Sequence, residues 1–309
     1  MSRGVRLRGP VYMAELRPAR GFSLEDTMKT YSFGWMYRGG GGGLIELCPG
    51  AVAEVEESGG VVVARVYAEA GCWEEEADAI ERMLGLREDY TAYHEIGRGD
   101  PLVGGVVESM PGHRLRSTSI WAALLIAVCQ QNTGFKQGWW MLYRLHLNAS
   151  RRLILPDGRV YLETPSPERL TREALRASGL GYRAETVARL IEARAWEKSC
   201  REVEELAEVR GVGGYTLNLV KLLACRDYSA TPLDRWVKRL AAEAYGDWRG
   251  LLRKFGPWAG LAAHHATIGF DAEPLRRALE RLRRGLNRPG LSDPSPVTLW
   301  RHTPPPPLV

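Results

Sequence analysis

The 309 residues are 45% hydrophobic and 26% charged, an ordinary balance for a globular chain with room for two domains and a substantial core. No apolar run is long enough to span a membrane, and the start, Met-Ser-Arg-Gly-Val-Arg-Leu-Arg-Gly-Pro, lacks the apolar block of a signal peptide, so a cytoplasmic protein is expected. The net charge of +5 is uneven: residues 1–100 carry 11 basic and 17 acidic side chains, residues 101–230 carry 18 and 13, and residues 231–309 carry 13 and 7. An acidic module followed by a domain that meets a polyanion fits this distribution, although Arg-rich helical surfaces alone would also produce it.

Residues 1–70 read as strands and turns of an antiparallel sheet. Aromatics alternate through Tyr31-Ser32-Phe33-Gly34-Trp35-Met36-Tyr37 as in a strand with one buried face, and glycines 39–43 form a flexible turn. Residues 44–47 and 61–66 are further strands, with Ser58-Gly59-Gly60 as a turn. Phe33 and Trp35 are assigned to core or interface rather than to ligand contact. From Glu74 the texture turns helical, with helices over 75–84 and 90–96 and a third beginning at Asp100-Pro101-Leu102 and ending near Met110-Pro111-Gly112. Ser119 caps an apolar helix over 121–129, which runs into Gln130-Gln131-Asn132-Thr133-Gly134. Amides closing a buried helix either terminate it or supply side chains that wedge into an opened nucleic acid. The next helix carries Trp139, Trp140, Leu142 and Leu145. Residues 148–164 make a turn or short hairpin around Pro156-Asp157-Gly158, Ser166 caps a helix over 167–177, and Gly179 to Ala184 opens another with Val187, Leu190 and Ile191 on one face.

Residues 209–237 are the densest in signal. Ser199 and Glu202 have the form of a capping box that starts a helix near Arg201. Gly211, Gly213 and Gly214 follow, and then Leu217, Val220, Leu223 and Ala224 recur at helical spacing. The reading is helix, tight turn, helix. Such a turn leaves amide N–H groups uncovered and can hold a phosphate, or it can simply cap a helix. Downstream, Pro232 ends one element and Asp234 stands at the N-cap of the next, where its carboxylate serves either as a cap alone or also a reacting centre. Residues 248–255, 256–260 and a helix over 261–265 come next, then a basic amphipathic helix over 274–284. Residues 303–309, with four consecutive prolines, form an extended or disordered tail.

Several chemistries lack support. Cys48, Cys72, Cys129, Cys200 and Cys225 are scattered and odd in number, which argues against a zinc site, an iron–sulfur cluster or a secreted disulfide framework. His264 and His265 point about 100° apart on a helix and do not share a metal. Neither a Gly-Lys-Ser/Thr loop nor a Gly-x-Ser-x-Gly elbow occurs.

Taken together, the motifs resemble those of the helix-hairpin-helix DNA glycosylases, in the branch with an N-terminal β domain that holds 8-oxoguanine and alkylation-repair enzymes. The resemblance covers roughly residues 20–285 through Asp100-Pro101-Leu102, Pro111-Gly112-His113-Arg114-Leu115, Gln130-Gln131-Asn132, residues 179–184, residues 211–216, Asp234 and Gly256-Pro257-Trp258-Ala259-Gly260. It implies an α+β fold: an antiparallel β domain over 1–73, an all-α helix-hairpin-helix domain over 74–290, and a Pro-rich tail over 291–309. It implies duplex DNA with a damaged base as partner, action as a monomer and no required cofactor, with Na+ or K+ an optional guest on the hairpin carbonyls. It also assigns roles. Gly211, Gly213, Gly214 and Thr216 belong to the phosphate-gripping hairpin. Asp234 is the essential aspartate, which stabilises oxocarbenium charge while guiding water. Gln131, with Asn132, fills the gap left by the flipped base. Tyr215, Tyr182 and Trp258 are base-pocket candidates.

Two departures bear on subtype. Bifunctional members carry a lysine nineteen residues before the aspartate, and this chain has Tyr215 there, while Lys221 faces elsewhere, so a Schiff-base nucleophile is missing and a monofunctional enzyme is expected. Ala263 replaces the glutamine with which 8-oxoguanine enzymes read their base. Alkylated purines are therefore the favoured substrate, with 8-oxoguanine or deaminated bases (uracil, hypoxanthine) as same-fold alternatives. A non-catalytic DNA-binding module is the alternative from another class.

Overall fold

The computed structural model describes residues 4–69 and 76–306. The N-terminal strands are β1 (Val5–Arg6), β2 (Arg8–Leu16), β3 (Gly42–Cys48), β4 (Ala51–Ser58) and β5 (Val61–Ala68). Four of them pair antiparallel in the order β2-β5-β4-β3. Ser58 pairs directly with Val61, so Gly59 and Gly60 alone make the reversal, and both take positive φ as a two-residue hairpin requires. One sheet face packs on α1 (Leu24–Lys29) and α2 (Glu76–Leu84) through Met28, Ile45, Val62, Ile80 and Leu84. Leu44, Val52 and Tyr67 belong instead to the core of the helical part, so the sheet is covered on both sides.

The helical part begins with α3 (Thr91–Gly97), α4 (Gly104–Ser109), α5 (Ile120–Gln130) and α6 (Phe135–Ala149). A hairpin of β6 (Arg152–Ile154) and β7 (Val160–Leu162) follows, and β1 joins it, parallel to β6, as a second small sheet. Then come α7 (Arg172–Ala177), α8 (Arg183–Glu192), α9 (Gly214–Cys225), α10 (Arg235–Tyr245), α11 (Arg249–Phe255), α12 (Ala259–Gly269), α13 (Leu275–Arg283) and α14 (Leu299–His302). The apolar α5, capped by the Ser119 hydroxyl, is the axis of one core and packs on α6, α8 and α9. A second core gathers Tyr93, Leu240, Leu251, Phe255 and Phe270 from α3 and α10 to α12. An antiparallel sheet domain followed by a mostly helical part is the expected α+β class. No helix among the described residues is long and apolar enough to cross a membrane.

Five expectations need correction. Residues 31–37 are turns with one isolated bridge at Tyr37, not a strand, because Ser32, Phe33, Gly34 and Trp35 are all buried in succession and leave no solvent face. The expected helix over 167–177 is split into a 3-10 turn (Pro167–Arg169) and α7, capped by the Thr171 hydroxyl. Only half of the capping box forms: the Ser199 N–H donates to the Glu202 carboxylate, but the Ser199 hydroxyl donates there too instead of accepting the Glu202 N–H, and a 3-10 segment (Val203–Glu208) follows rather than an α-helix. The C-terminal segment is seated over its described length. Thr303 is fully buried, and its carbonyl accepts from the Gly34 N–H at 2.7 Å. A Cβ at Gly34 would lie 2.5 Å from that carbonyl. Finally, the cysteines are not all isolated: Cys200 and Cys225 form a disulfide, brought together because the chain reverses between them at the glycine turn.

That disulfide closes a loop with a sequence separation of 25, worth about 3.5 kcal/mol by loop-closure entropy. A Cys200→Ala/Cys225→Ala double variant is expected to lose about that much unfolding free energy, as denaturant titrations of wild type and variant under non-reducing conditions would show.

Candidate functional site

A cavity of about 1080 Å³ opens where the sheet domain meets the two helical cores. Its walls bring together Tyr31, Phe135 and Trp139 from the sheet domain and α6, Tyr215 at the start of α9, Asp234 and Trp236 at the mouth of α10, and Ala263, His264 and Thr267 on α12. Asp234 is the N-cap of α10, and its carboxylate accepts the Val237 N–H at 2.7 Å. It stays open to solvent within the cavity, yet the walls displace enough water to push its pKa above the usual carboxylate range.

Two hydrogen bonds hold the loop before Asp234. The Asn218 side chain of α9 donates to the Thr231 carbonyl at 2.9 Å. The Gly260 N–H donates to the Tyr228 carbonyl at 2.7 Å, and a Cβ at Gly260 would sit 2.3 Å from the Ala230 carbonyl. The glycine that ends Gly256-Pro257-Trp258-Ala259-Gly260 is thus needed for α12 to approach this loop.

Tyr215 lies close enough to Asp234 and Tyr31 to feel both; burial and then the Asp234 charge hold its phenol protonated. Tyr31 has φ of 49°, an unusual left-handed backbone for an aromatic residue. It is held from several sides: its N–H donates to the Pro296 carbonyl at 2.7 Å, its carbonyl accepts from half-buried Arg116, and its hydroxyl shares a 2.7 Å hydrogen bond with Thr267. Its ring stacks on Trp139 with centroids 5.3 Å apart, and His264 lies 5.2 Å from it.

The glycine turn and the amide cluster form one unit beside this cavity. Gly211 has φ of 102°, and a Cβ there would lie 2.4 Å from the Thr186 hydroxyl. Gly213 and Gly214 face open space. Gln131 Nε2 donates to the Gly211 carbonyl at 2.8 Å and to Thr216 Oγ1 at 3.0 Å. Arg183, buried at the start of α8, donates to the Gln131 carbonyl. Asn132 has φ of 46°, is exposed, and reaches the Tyr182 hydroxyl at 3.4 Å.

Among the sequence candidates, Asp234 and Tyr215 therefore meet in the cavity, while Gln131, Asn132, Tyr182, Gly211 and Thr216 meet at the rim unit. Trp258 departs from expectation. It packs in the second core, stacked on Tyr228 at 5.4 Å and edge-on to Tyr90, rather than lining the cavity. Lys221 is ion-paired with Glu204, away from the cavity wall. Sequence reasoning passed over Tyr31, Phe135, Trp139 and Thr267 as site residues. Tyr31 was absorbed into a supposed strand, and its left-handed backbone leaves no sequence signal. His264 was considered only as a metal ligand. Among the described residues no cluster of His, Cys, Asp and Glu suits a metal ion.

No protein-family model matches the sequence, and no curated protein matches it. Solved structures do. An 8-oxoguanine glycosylase/lyase from Clostridium acetobutylicum, in complex with duplex DNA containing cytosine opposite 8-oxoguanine, is 22% identical with a TM-score of 0.65, over 82% of this chain and 96% of that one. MBOgg1 in complex with a low-affinity DNA ligand is 19% identical with a TM-score of 0.66, over 90% and 98%. The 3-methyladenine DNA glycosylase from Archaeoglobus fulgidus is 19% identical with a TM-score of 0.63, over 83% and 97%. The chain shares the fold of these proteins across nearly the whole of their length.

The hairpin glycines separate by role. Gly211→Ala should cost about 1–3 kcal/mol, because a strained φ adds to the clash with Thr186. Gly213→Ala, with φ of −119° and open space, should stay within about 0.5 kcal/mol of wild type. Thermal melts of the two variants check the contrast.

Proposed function

We propose that this protein is a DNA glycosylase that hydrolyses the N-glycosidic bond of a flipped, alkylated purine and leaves the strand intact. The observation that carries the reading is Asp234, a capped carboxylate facing an aromatic cavity, with Tyr215 rather than a lysine beside it. In this mechanism the uncovered amides of the hairpin at Gly211, Gly213 and Gly214 hold a phosphate, with or without a monovalent cation on nearby carbonyls. Gln131 leaves its bonds to Gly211 and Thr216 to fill the gap in the stack. The base enters between Tyr31, Phe135 and Trp139. The bond from sugar C1′ to the base nitrogen breaks with its electron pair going to the base, and a cationic purine departs as a neutral molecule that needs no proton. Asp234 stabilises the developing oxocarbenium charge, and water adds to C1′ and gives its proton to the Asp234 carboxylate. Ala263, which lines the cavity with only a methyl group, weighs against 8-oxoguanine as the substrate.

The proposal is tested with duplexes that each carry one lesion, scored for strand breakage with and without alkali. Breakage only after alkali is expected. Breakage without alkali, together with borohydride trapping of a covalent adduct, would remove the monofunctional reading and turn attention to Lys136, an amine on the cavity wall.

Asp234→Asn should retain an acceptor for the Val237 N–H but lose base release by about a thousandfold or more. Because the folded state holds the Asp234 proton to higher pH than the unfolded chain does, ionising it costs stability as pH rises through that window. The Asn variant should therefore melt no lower than wild type at pH 7. Base release by the wild type should fall on acidification through a pKa above the ordinary carboxylate range, as a pH–rate profile would report.

A further inference from the structure

Three imidazoles meet at the cavity wall, and two of them are accounted for. His265 Nδ1 is 2.9 Å from the Tyr93 hydroxyl, and its Nε2 is 3.0 Å from His113 Nδ1. This buried chain fixes both rings by mutual hydrogen bonds. His264 is different. It is about nine-tenths buried on α12, it lines the cavity, and neither ring nitrogen has a hydrogen-bond partner among the described residues. Its ring is flanked by aromatic neighbours instead: Tyr31 at 5.2 Å, tilted by 41°, and His113 at 6.2 Å, nearly parallel at 22°. Its ring nitrogens are not sealed off and stay open to the cavity, so a ligand that enters the cavity can meet this polar edge.

The position of this edge relates it to Asp234. Tyr215, Asp234, Tyr31 and His264 all line the cavity, and the Tyr31 and His264 rings lie 5.2 Å apart. A base stacked beside Tyr31, with its sugar at Asp234, presents an edge to α12. We propose that His264 is the specificity-determining residue of this site, whose free imidazole nitrogen accepts a hydrogen bond from the exocyclic amino group of a flipped N-alkylated purine. This rests on the glycosylase reading and deepens it. The ring suits the role because it is kept neutral: burial pushes its pKa down to about 4. A neutral imidazole offers a lone pair to an amine made more acidic by the purine's positive charge, whereas an imidazolium would repel that charge. The Tyr93–His265–His113 chain acts as support, since it fixes the His113 ring nearly parallel to His264 at 6.2 Å.

The test compares His264→Leu with His264→Gln. Leucine approximates the volume and removes the acceptor, whereas glutamine keeps an acceptor oxygen. On duplexes with 7-methylguanine, the Leu variant should lose about tenfold or more in kcat/KM, as expected for one hydrogen bond to a charged group. The Gln variant should recover most of that loss. On hypoxanthine, which has no exocyclic amine, the two variants should be equal. Affinity for a duplex with a tetrahydrofuran abasic analogue should stay within twofold of wild type for both, because that ligand has no base to read. Equal loss in the Leu and Gln variants on 7-methylguanine, or weakened binding to the abasic duplex, would overturn the assignment of His264. A wild-type protein that releases no base from any lesion would instead overturn the glycosylase reading itself, so the two failures are distinguishable.

Discussion

The carboxylate of Asp234 imposes the central constraint on this molecule. A helix N-terminus is the cheapest place to keep a negative charge away from bulk water, because exposed N–H groups and the helix dipole both favour it. The carboxylate accepts the Val237 N–H and still points into a cavity whose walls disfavour its charge. Much of the surrounding structure fixes that mouth in space. Asn218 ties the preceding loop to α9, and Gly260 brings α12 into contact with it. The close approach of α9 and α12 to one short loop is what lets Tyr215, Asp234 and His264 share a wall.

A second charged residue supports the opposite side of the cavity. Asp271 is fully buried at its side chain and accepts the N–H groups of Gly290, Leu291 and Ser292 as well as the Arg281 guanidinium at 2.9 Å. Arg281 in turn donates to the Gly269, Leu286 and Arg288 carbonyls. This hub launches the C-terminal segment from α12 and α13 toward the sheet domain, where Pro296 accepts from Tyr31 and Thr303 accepts from Gly34. Removing one partner of a buried ion pair is costly, whereas the intact pair is held by its additional hydrogen bonds. The segment therefore works as a structural tie across the domains, and it fixes the strained backbone of Tyr31 from outside the sheet.

Legibility in the sequence follows the range of the interaction. Ser119, Asp234, the Gly59-Gly60 reversal and the helical spacing of α5 and α9 are local signals, and each appears where its residues indicate. Non-local packing hid the rest. The aromatics of residues 31–37 alternate like a strand, but a close-packed junction with α6 and the C-terminal segment buries consecutive side chains and overrides the pattern. Trp258 carries a motif that places it near the site, yet its ring faces the second core because Tyr90, Tyr93 and Tyr228 surround it. The Cys200–Cys225 disulfide was invisible because cysteine spacing says nothing about a chain reversal 25 residues long.

The rim unit shows how rigidity and movement divide between backbone and side chain. The guanidinium of Arg183 grips the Gln131 carbonyl from a buried position, so the loop's main chain is fixed by a charge-assisted bond. The Gln131 side chain makes two neutral bonds, to the Gly211 carbonyl and Thr216 Oγ1, each with a net worth of about 1 kcal/mol in a site that water can reach. Breaking the second kind costs far less than breaking the first. On the glycosylase reading, a phosphate seated on the hairpin and a gap opening in the duplex act on one connected set of bonds. The side chain can leave for the stack while Arg183 keeps its backbone in register, and the Gly211 carbonyl it releases lies on the same turn that holds the phosphate. On that reading the phosphate grip and the wedge would act together through one hydrogen-bonded junction.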